Sequence, residues 1–143
     1  MTQEEKDLLL KDICGRLPYG VKLHCCSNVM VCIGPYTLNT IILDRIFNKD
    51  TEYVPFDEVK PYLLPLSSMT DELWNKEFRG CGITEFTRDS FEYGCETLEF
   101  NNDNPNLSSM VSFINQLIKN HFDIYGLIPM GLALDATNLN IYE

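Results

Sequence analysis

The stretch from Gly20 to Pro35, GVKLHCCSNVMVCIGP, constrains the fold of this chain most strongly. Two runs rich in β-branched and apolar residues, VKLHCC and VMVCI, flank the turn pair Ser27-Asn28. Such runs on either side of a short turn are typical of an antiparallel hairpin. A third strand near 38–47 and a short fourth near 52–56 would extend the hairpin into a small antiparallel sheet.

A helix is predicted before this sheet, over residues 3–14. Thr2 followed by Glu5 has the spacing of a capping box, in which each residue satisfies a free amide of the other at a helix start. Apolar residues then recur at helical spacing until Gly15 and Pro18 interrupt the pattern. The N-terminal segment therefore offers one apolar helix face to the sheet.

A second long helix is predicted near the C-terminus, capped by Ser108 or Ser109 and ending by Asn120. Its apolar residues form a broad face that we expect to lie on the sheet: Met110, Val111, Phe113, Ile114, Leu117 and Ile118. The remainder, IYGLIPMGLALDA, has glycines and a proline at short intervals, which indicates a packed irregular segment or a final edge strand.

These elements predict an α+β fold in a single domain over residues 1–143. The expected architecture is a small antiparallel β-sheet or barrel-like meander, with the N-terminal helix and the C-terminal helix packed on it. A chain of 143 residues is long enough to bury one substantial core.

The stretch PYLLPLSSMTDELW, residues 61–74, places three hydroxyls next to two carboxylates. Pro61 and Pro65 indicate an extended connector, and Ser68 or Thr70 has the position of a helix cap before DELWNKEF. A nucleophilic serine needs a nearby base, and the segment contains no histidine. We therefore interpret the hydroxyls as structural.

The charge balance limits the partners. Eleven basic and twenty-one acidic side chains give a net charge of −10, which disfavours nucleic-acid backbones and anionic lipid. The acidic N-terminus does not look like a secretory signal, and the longest apolar stretch, Ile124 to Leu134, is too short for a membrane helix. A cytoplasmic protein without nucleic-acid or membrane partners is expected.

An acidic segment over residues 81–100 is the candidate interaction face. Its carboxylates are three or four residues apart, as on one face of a helix, but like charges at that spacing repel and the threonines and aromatic residues favour strands. We interpret it as a second hairpin that turns near 88–90. The face consists of Glu85, Asp89, Glu92, Glu96 and Glu99.

The histidines and cysteines do not form a recognisable site. His24-Cys25-Cys26 with Cys32 could suggest zinc, but neighbours on a strand point to opposite faces and no C-x-x-C pair is present. All six cysteines, which include Cys14, are expected to be free thiols, because the N-terminus predicts no secretory signal.

His121-Phe122-Asp123 follows the last predicted helix, where a cationic histidine would complement the negative end of the helix dipole and Asp123 could bind local amides. The sequence contains no glycine-rich phosphate loop. No catalytic residue, metal ligand or cofactor is therefore predicted.

Three blocks resemble a known group of proteins: TQEEKDLLLKDICGRLPYGVK, KPYLLPLSSMT and HFDIYGLIPMGLALDA, about a third of the chain. They are similar to a family of small uncharacterised proteins encoded by Bacteroides-type gut bacteria, their phages and their mobile elements. The family has no assigned activity, so the resemblance implies no catalytic residues. It implies an accessory protein that acts in a bacterial cytoplasm.

The sequence favours a non-catalytic accessory protein that binds another protein. One alternative is a small hydrolase or metal-dependent enzyme with a His/Cys or His/Asp site. Another is an acidic mimic of nucleic acid that inhibits a nuclease or repressor. The positions of His24 and His121 discriminate the first two, because a shared cleft with a cysteine or carboxylate would favour the enzyme.

Overall fold

The computed structural model describes residues 1–25, 28–37, 40–45, 51–81 and 107–142. Within these ranges the helices are α1 (Gln3–Arg16), α2 (Asp71–Leu73, continued by a π-helical turn over Trp74–Phe78) and α3 (Leu107–Lys119). The strands are β1 (Lys22–Cys25), β2 (Asn28–Thr37), β3 (Thr40–Arg45), β4 (Thr51–Pro55), β5 (Lys60–Leu63) and β6 (Leu134–Asp135).

The strands form one open sheet in the order β4-β3-β2-β1-β5-β6. The first four make an antiparallel meander, in which β1 and β2 are the hairpin predicted from Gly20 to Pro35. β5 adds antiparallel to β1, and β6 adds parallel to β5. The α+β class is confirmed, and of the two predicted architectures the sheet, rather than a closed barrel, is the one that forms.

α1 covers one face of the sheet and closes the first core. The capping box forms as predicted, with the Glu5 amide donating to the Thr2 hydroxyl at 3.2 Å. Leu9 and Ile13 are fully buried against apolar strand residues. Leu23 and Cys25 face this core, whereas Lys22 and His24, which alternate with them, are half-buried on the other face of β1.

α3 belongs mainly to a second core. Phe113 and Leu117 are buried there with Phe78 and Phe122, and Leu64, which follows β5, packs against the same cluster. α3 thus approaches the sheet at the end of β5. The predicted caps Ser108 and Ser109 are wrong, because the helix already includes Leu107 and both serines lie inside its first turn.

The stretch over residues 61–74 is structural, as expected; of its two predicted caps Thr70 is confirmed, whereas Ser68 and Pro61 differ from the prediction. Pro61 is not in a connector; it lies in β5, opposite Leu23 of β1. Thr70 is the cap of α2, since its hydroxyl accepts from the Leu73 amide at 3.2 Å. Ser68 is not a cap, because its hydroxyl donates to the Pro65 carbonyl at 2.7 Å.

Thr70→Ala should lower the free energy of unfolding by about 1 kcal/mol, the usual effect of losing a helix cap. Ser67→Ala is the matched control, since Ser67 is exposed and should leave stability unchanged within about 0.5 kcal/mol. Urea unfolding followed by circular dichroism measures both. Equal stability of Thr70→Ala and the control would show that the cap does not stabilise the domain.

A buried ion pair joins α1 to the end of α3. Arg16 is fully buried and donates two hydrogen bonds to Asp12, at 2.8 and 2.6 Å. The same guanidinium donates to the carbonyls of Ile118, at 3.3 Å, and Phe122, at 2.7 Å. Arg16 therefore places a positive charge at the negative end of α3. Burial raises the pKa of Asp12, and the bonds from Arg16 oppose that rise.

Candidate functional site

His121 ends α3 in a conformation that usually requires glycine. Its φ is 60°, in the left-handed region. The His121 amide donates to the Ile118 carbonyl at 3.1 Å and the Phe122 amide to the Leu117 carbonyl at 2.9 Å, the two bonds of a Schellman motif. Leu64 then donates to the His121 carbonyl at 2.9 Å. The backbone thus fixes His121 between α3 and β5.

The His121 side chain is buried and uncharged at neutral pH. Its exposed fraction is 6%, its ring stacks on Tyr142 with 3.7 Å between centroids, and its Nδ1 has no hydrogen-bond partner. Burial, assisted by the charges of Arg16 and Lys22, lowers the pKa to about 4, and a hydrogen bond to the Tyr19 backbone only partly offsets this. The predicted cationic histidine is wrong.

Tyr142 attaches the C-terminal residues to β1 and β5. Its hydroxyl donates to the Tyr62 carbonyl at 2.7 Å and accepts from the Lys22 amide at 3.3 Å. The Lys22 ammonium donates to the Ile141 carbonyl and lies 5.5 Å from the centre of the Tyr142 ring. Burial raises the pKa of Tyr142 to about 12. The hydroxyl therefore stays protonated and keeps its donor.

A pocket of about 390 Å³ lies where these elements meet. Its wall includes two lysines, two leucines and the stacked pair of rings: Lys22, Lys119, Leu64, Leu73, His121 and Tyr142. Among the described residues that line it there is no carboxylate. Glu77, which is not among the lining residues, binds the Lys119 ammonium at 3.0 Å.

The two histidines do not share this pocket. His24 contacts Tyr62 through Nδ1 and the phenol oxygen at 2.9 Å, and it is not among the residues that line the pocket. His121 stacks on Tyr142. In the described part of the chain each histidine thus contacts a tyrosine rather than a cysteine or a carboxylate. This is the arrangement that disfavours a His/Cys or His/Asp enzyme.

Three of the four described cysteines are buried. Cys14, Cys32 and Cys81 are free thiols, and among the described cysteines only Cys14 is more than slightly exposed. Burial raises the pKa of Cys32 to about 12, so its thiolate is scarce at neutral pH. Over the residues that the structure describes, no three histidine, cysteine or acidic side chains are grouped as metal ligands would be. Cys26 and Cys95 lie outside the described residues.

Asp123 has the structural role expected for it. Its carboxylate accepts from the amides of Leu127 and Ile128, both at 2.8 Å, and it is 6% exposed. These bonds hold the turns that lead to β6. The Asp123 carboxylate therefore binds backbone amides rather than the His121 ring.

The candidate acidic face lies outside the described residues. Glu85, Asp89, Glu92, Glu96 and Glu99 all fall in the range 82–106, so the predicted second hairpin and its carboxylates stay predictions. The sequence analysis did not identify Lys22 or Tyr142 as site residues. A local sequence pattern cannot reveal their contact, because the two residues are 120 positions apart in the chain.

No family profile, curated protein or solved structure matches this chain. None of the helices in the described ranges combines the length and the apolar character needed to cross a bilayer.

His121 should make the protein lose stability in mild acid. Because its pKa is about 4 in the folded protein and near 6.5 ordinarily, the unfolded chain binds a proton that the folded chain excludes between these values. The free energy of unfolding should therefore fall by about 2 kcal/mol from pH 7 to pH 4.5 through this residue. His121→Gln should remove that part of the slope.

Urea unfolding of both proteins at the two pH values measures the difference. Asp12, whose pKa is raised, acts with the opposite sign but is present in both proteins. If the free energy of unfolding changed with pH equally in the wild type and in His121→Gln, the lowered pKa of His121 would be contradicted.

Proposed function

We propose that the protein is a non-catalytic binding protein that acts by contacting another protein. The supporting observation is an apolar stripe on α3. Its members lie at positions i, i+3, i+4 and i+7 and stay exposed to solvent: Leu107 (73%), Met110 (38%), Val111 (51%) and Ile114 (39%). We call these four residues the α3 stripe.

The α3 stripe is the part of the apolar helix face that the second core leaves uncovered. Phe113 and Leu117 of the same helix are buried. The sequence of α3, LSSMVSFINQLIK, contains no acid and one base, in a chain whose net charge is −10. An uncharged apolar stripe on an acidic protein suits the groove of a protein partner, where burial of apolar surface is favourable.

The charge and the histidine contacts argue against the alternatives. A chain with a net charge of −10 does not favour direct binding to nucleic acid. Mimicry of nucleic acid would depend on the acidic residues 85–99, which lie outside the described residues. The hydrolase alternative needs an acid, a base and a nucleophile together, and the described histidines contact tyrosines instead.

The cellular setting is proposed from the resemblance of the three sequence blocks. A phage- or mobile-element-type accessory protein in a bacterial cytoplasm would meet host or phage proteins as partners. Accessory proteins of this kind need a contact surface rather than an active site. The α3 stripe supplies such a surface on one rigid helix.

Affinity capture from lysate of the bacterial host, read by mass spectrometry, tests the proposal with three variants. Val111→Glu should lose the captured protein, because burying a charge in an apolar contact is unfavourable. Asn138→Glu is the matched control; it adds the same charge at an exposed position outside α3 and should retain the partner. Retention of the same proteins by Val111→Glu would refute the α3 stripe as the contact.

The third variant replaces Glu92, Glu96 and Glu99 by Gln. If the predicted acidic face contributes to the contact, this variant should slow association and reduce its salt dependence, because complementary charge acts mainly on the encounter rate. If the α3 stripe alone carries the contact, association should be unchanged. Circular dichroism should show an intact fold for all three variants.

A further inference from the structure

The exposed apolar side chains of the described residues are concentrated on α3. Nine large apolar side chains are exposed in this part of the chain, and four of the nine form the α3 stripe. The other five lie apart from one another along the sequence. Single exposed apolar residues are ordinary on a protein surface, whereas a contiguous group marks a contact. The α3 stripe is therefore the described surface that most favours burial against a partner.

The α3 stripe lies on an uncharged stretch of helix. The twelve residues from Leu107 to Ile118 include no acid and no base, and Lys119 at the end of α3 pairs with Glu77. A protein with a net charge of −10 that bound a basic partner through α3 would be expected to carry carboxylates there. An uncharged contact instead suits a partner of the same charge, because no like charges are brought together. A second copy of this chain has that property.

The positions of the four residues are symmetric about the centre of the stripe. Leu107 and Ile114 are equally far from the midpoint between Met110 and Val111. A two-fold axis that lies in the contact beside this midpoint, perpendicular to α3, makes two copies of the helix antiparallel. It sets Leu107 opposite Ile114 of the partner subunit and Met110 opposite Val111 of the partner subunit. The stripe is thus complementary in position to itself, and its i, i+4 rows can pack as ridges into the grooves of an identical helix.

We propose that a second copy of this chain covers the α3 stripe when no other protein is bound, with the two α3 helices antiparallel. The inference rests on the proposed function, because both concern the same stripe. The homodimer keeps the stripe away from water until a partner that binds more tightly displaces the second copy. Self-association thereby regulates access to the proposed binding surface.

The size of the contact makes the homodimer weak. A stable interface takes about 20–30 residues a side, whereas the stripe offers four apolar residues and their polar neighbours. The net charge of −10 on each copy also repels the other copy. We expect a dissociation constant on the order of 10–100 µM, weak enough for another protein to compete. Salt should strengthen the homodimer, because it screens this repulsion and leaves the apolar contact intact.

Sedimentation equilibrium of the purified protein, under reducing conditions that exclude disulfides between copies, tests the inference. Over a concentration range of about 5–500 µM we expect the average mass to rise from that of a monomer toward that of a dimer. The dissociation constant should fall several-fold when NaCl is raised from about 50 mM to about 500 mM. A monomer over the whole range, or a dimer that salt dissociates, would overturn the inference.

Two charged variants test the antiparallel register. Leu107→Glu adds a carboxylate at the first residue of α3, where it suits the helix dipole and should leave the fold intact. Ile114→Lys adds an ammonium at the position that the register sets opposite. Each variant alone should dimerise at least about tenfold more weakly than the wild type, because each dimer would bury unpaired charges. An equimolar mixture should recover part of the affinity, since the carboxylate of one copy then meets the ammonium of the other.

Leu139→Glu is the matched control for Leu107→Glu. It adds the same charge at a leucine that is 50% exposed and lies outside α3, so it should dimerise like the wild type. Equal weakening by Leu139→Glu and Leu107→Glu would show that the added charge, and not the stripe, controls the association. That result, or a mixture that dimerises no better than the two separate variants, would overturn the inference.

Failure of this inference and failure of the proposed function have different signatures. Sedimentation needs only the purified protein, and partner capture does not require a homodimer. A protein that stays monomeric but loses its captured partner in Val111→Glu would overturn the homodimer alone. A salt-strengthened dimer that captures no other protein would support the homodimer and contradict the proposed function.

Discussion

Replacing Arg16 by Met should lower the free energy of unfolding by about 3–5 kcal/mol, because it leaves the buried carboxylate of Asp12 without its cation. The change also removes the donors to the carbonyls of Ile118 and Phe122 at the end of α3. Urea unfolding measures the loss. Lys6→Met is the control, since Lys6 forms an exposed pair with Asp57 whose loss should cost less than about 1 kcal/mol.

A double variant tests whether the loss comes from the isolated carboxylate. Arg16→Met combined with Asp12→Leu removes both charges, and it should recover a part of the stability that Arg16→Met alone loses. A double variant no more stable than Arg16→Met would mean that the loss comes from the bonds to the two carbonyls rather than from the isolated carboxylate. A single variant as stable as Lys6→Met would contradict the buried anchor.

Phe78→Ala should also cost about 3–5 kcal/mol, because it opens a cavity in the second core. Phe78 is fully buried. Its ring stacks on Trp74 at 5.5 Å and meets Phe113 and Phe122 edge-on at 5.6 and 6.3 Å. Met130→Ala, at a side chain that is 46% exposed, is the apolar control and should change stability by less than about 0.5 kcal/mol.

The measurement is again urea unfolding, with the near-ultraviolet circular dichroism of the single tryptophan as a second readout. Trp74 packs on Phe78, so its signal should weaken in Phe78→Ala and persist in Met130→Ala. Loss of stability in both variants to the same degree would contradict the packing of the second core.

The parts of the fold that were predicted correctly are specified by neighbouring residues. The hairpin of β1 and β2 follows from a change to a two-residue period around a short turn, and both strands lie within a few residues of each other. The start of α1 follows from the capping box of Thr2 and Glu5. These signals are local, so the sequence alone was sufficient to detect them.

The errors come from contacts between distant residues. Pro61 suggested a connector, but its pairing with β1 depends on residues about forty positions away. β6 has two residues, too few to show a period, and its partner β5 is far along the chain. The α+β class could therefore be predicted from the sequence. Of the last two strands, β5 was missed and β6 was predicted only as one of two possibilities.

The candidate site shows the same limit. Asp12 and Arg16 are four apart on a helix, the spacing of an ordinary surface pair, and only the packing of α3 makes them buried. The stacking of His121 on Tyr142 had no signal in the sequence. The properties of these side chains depend on their burial, and the sequence alone does not show which helices and strands bury them.

Site-specific photo-crosslinking in the bacterial host tests the central claim, that the α3 stripe contacts a protein partner. A benzoylphenylalanine at Val111 should give a covalent adduct with a second, different protein, because this position is exposed within the stripe. The same group at Asn138, an exposed position outside α3, should give little or none. No adduct at Val111, or equal yields of the same adducts at both positions, would contradict the account.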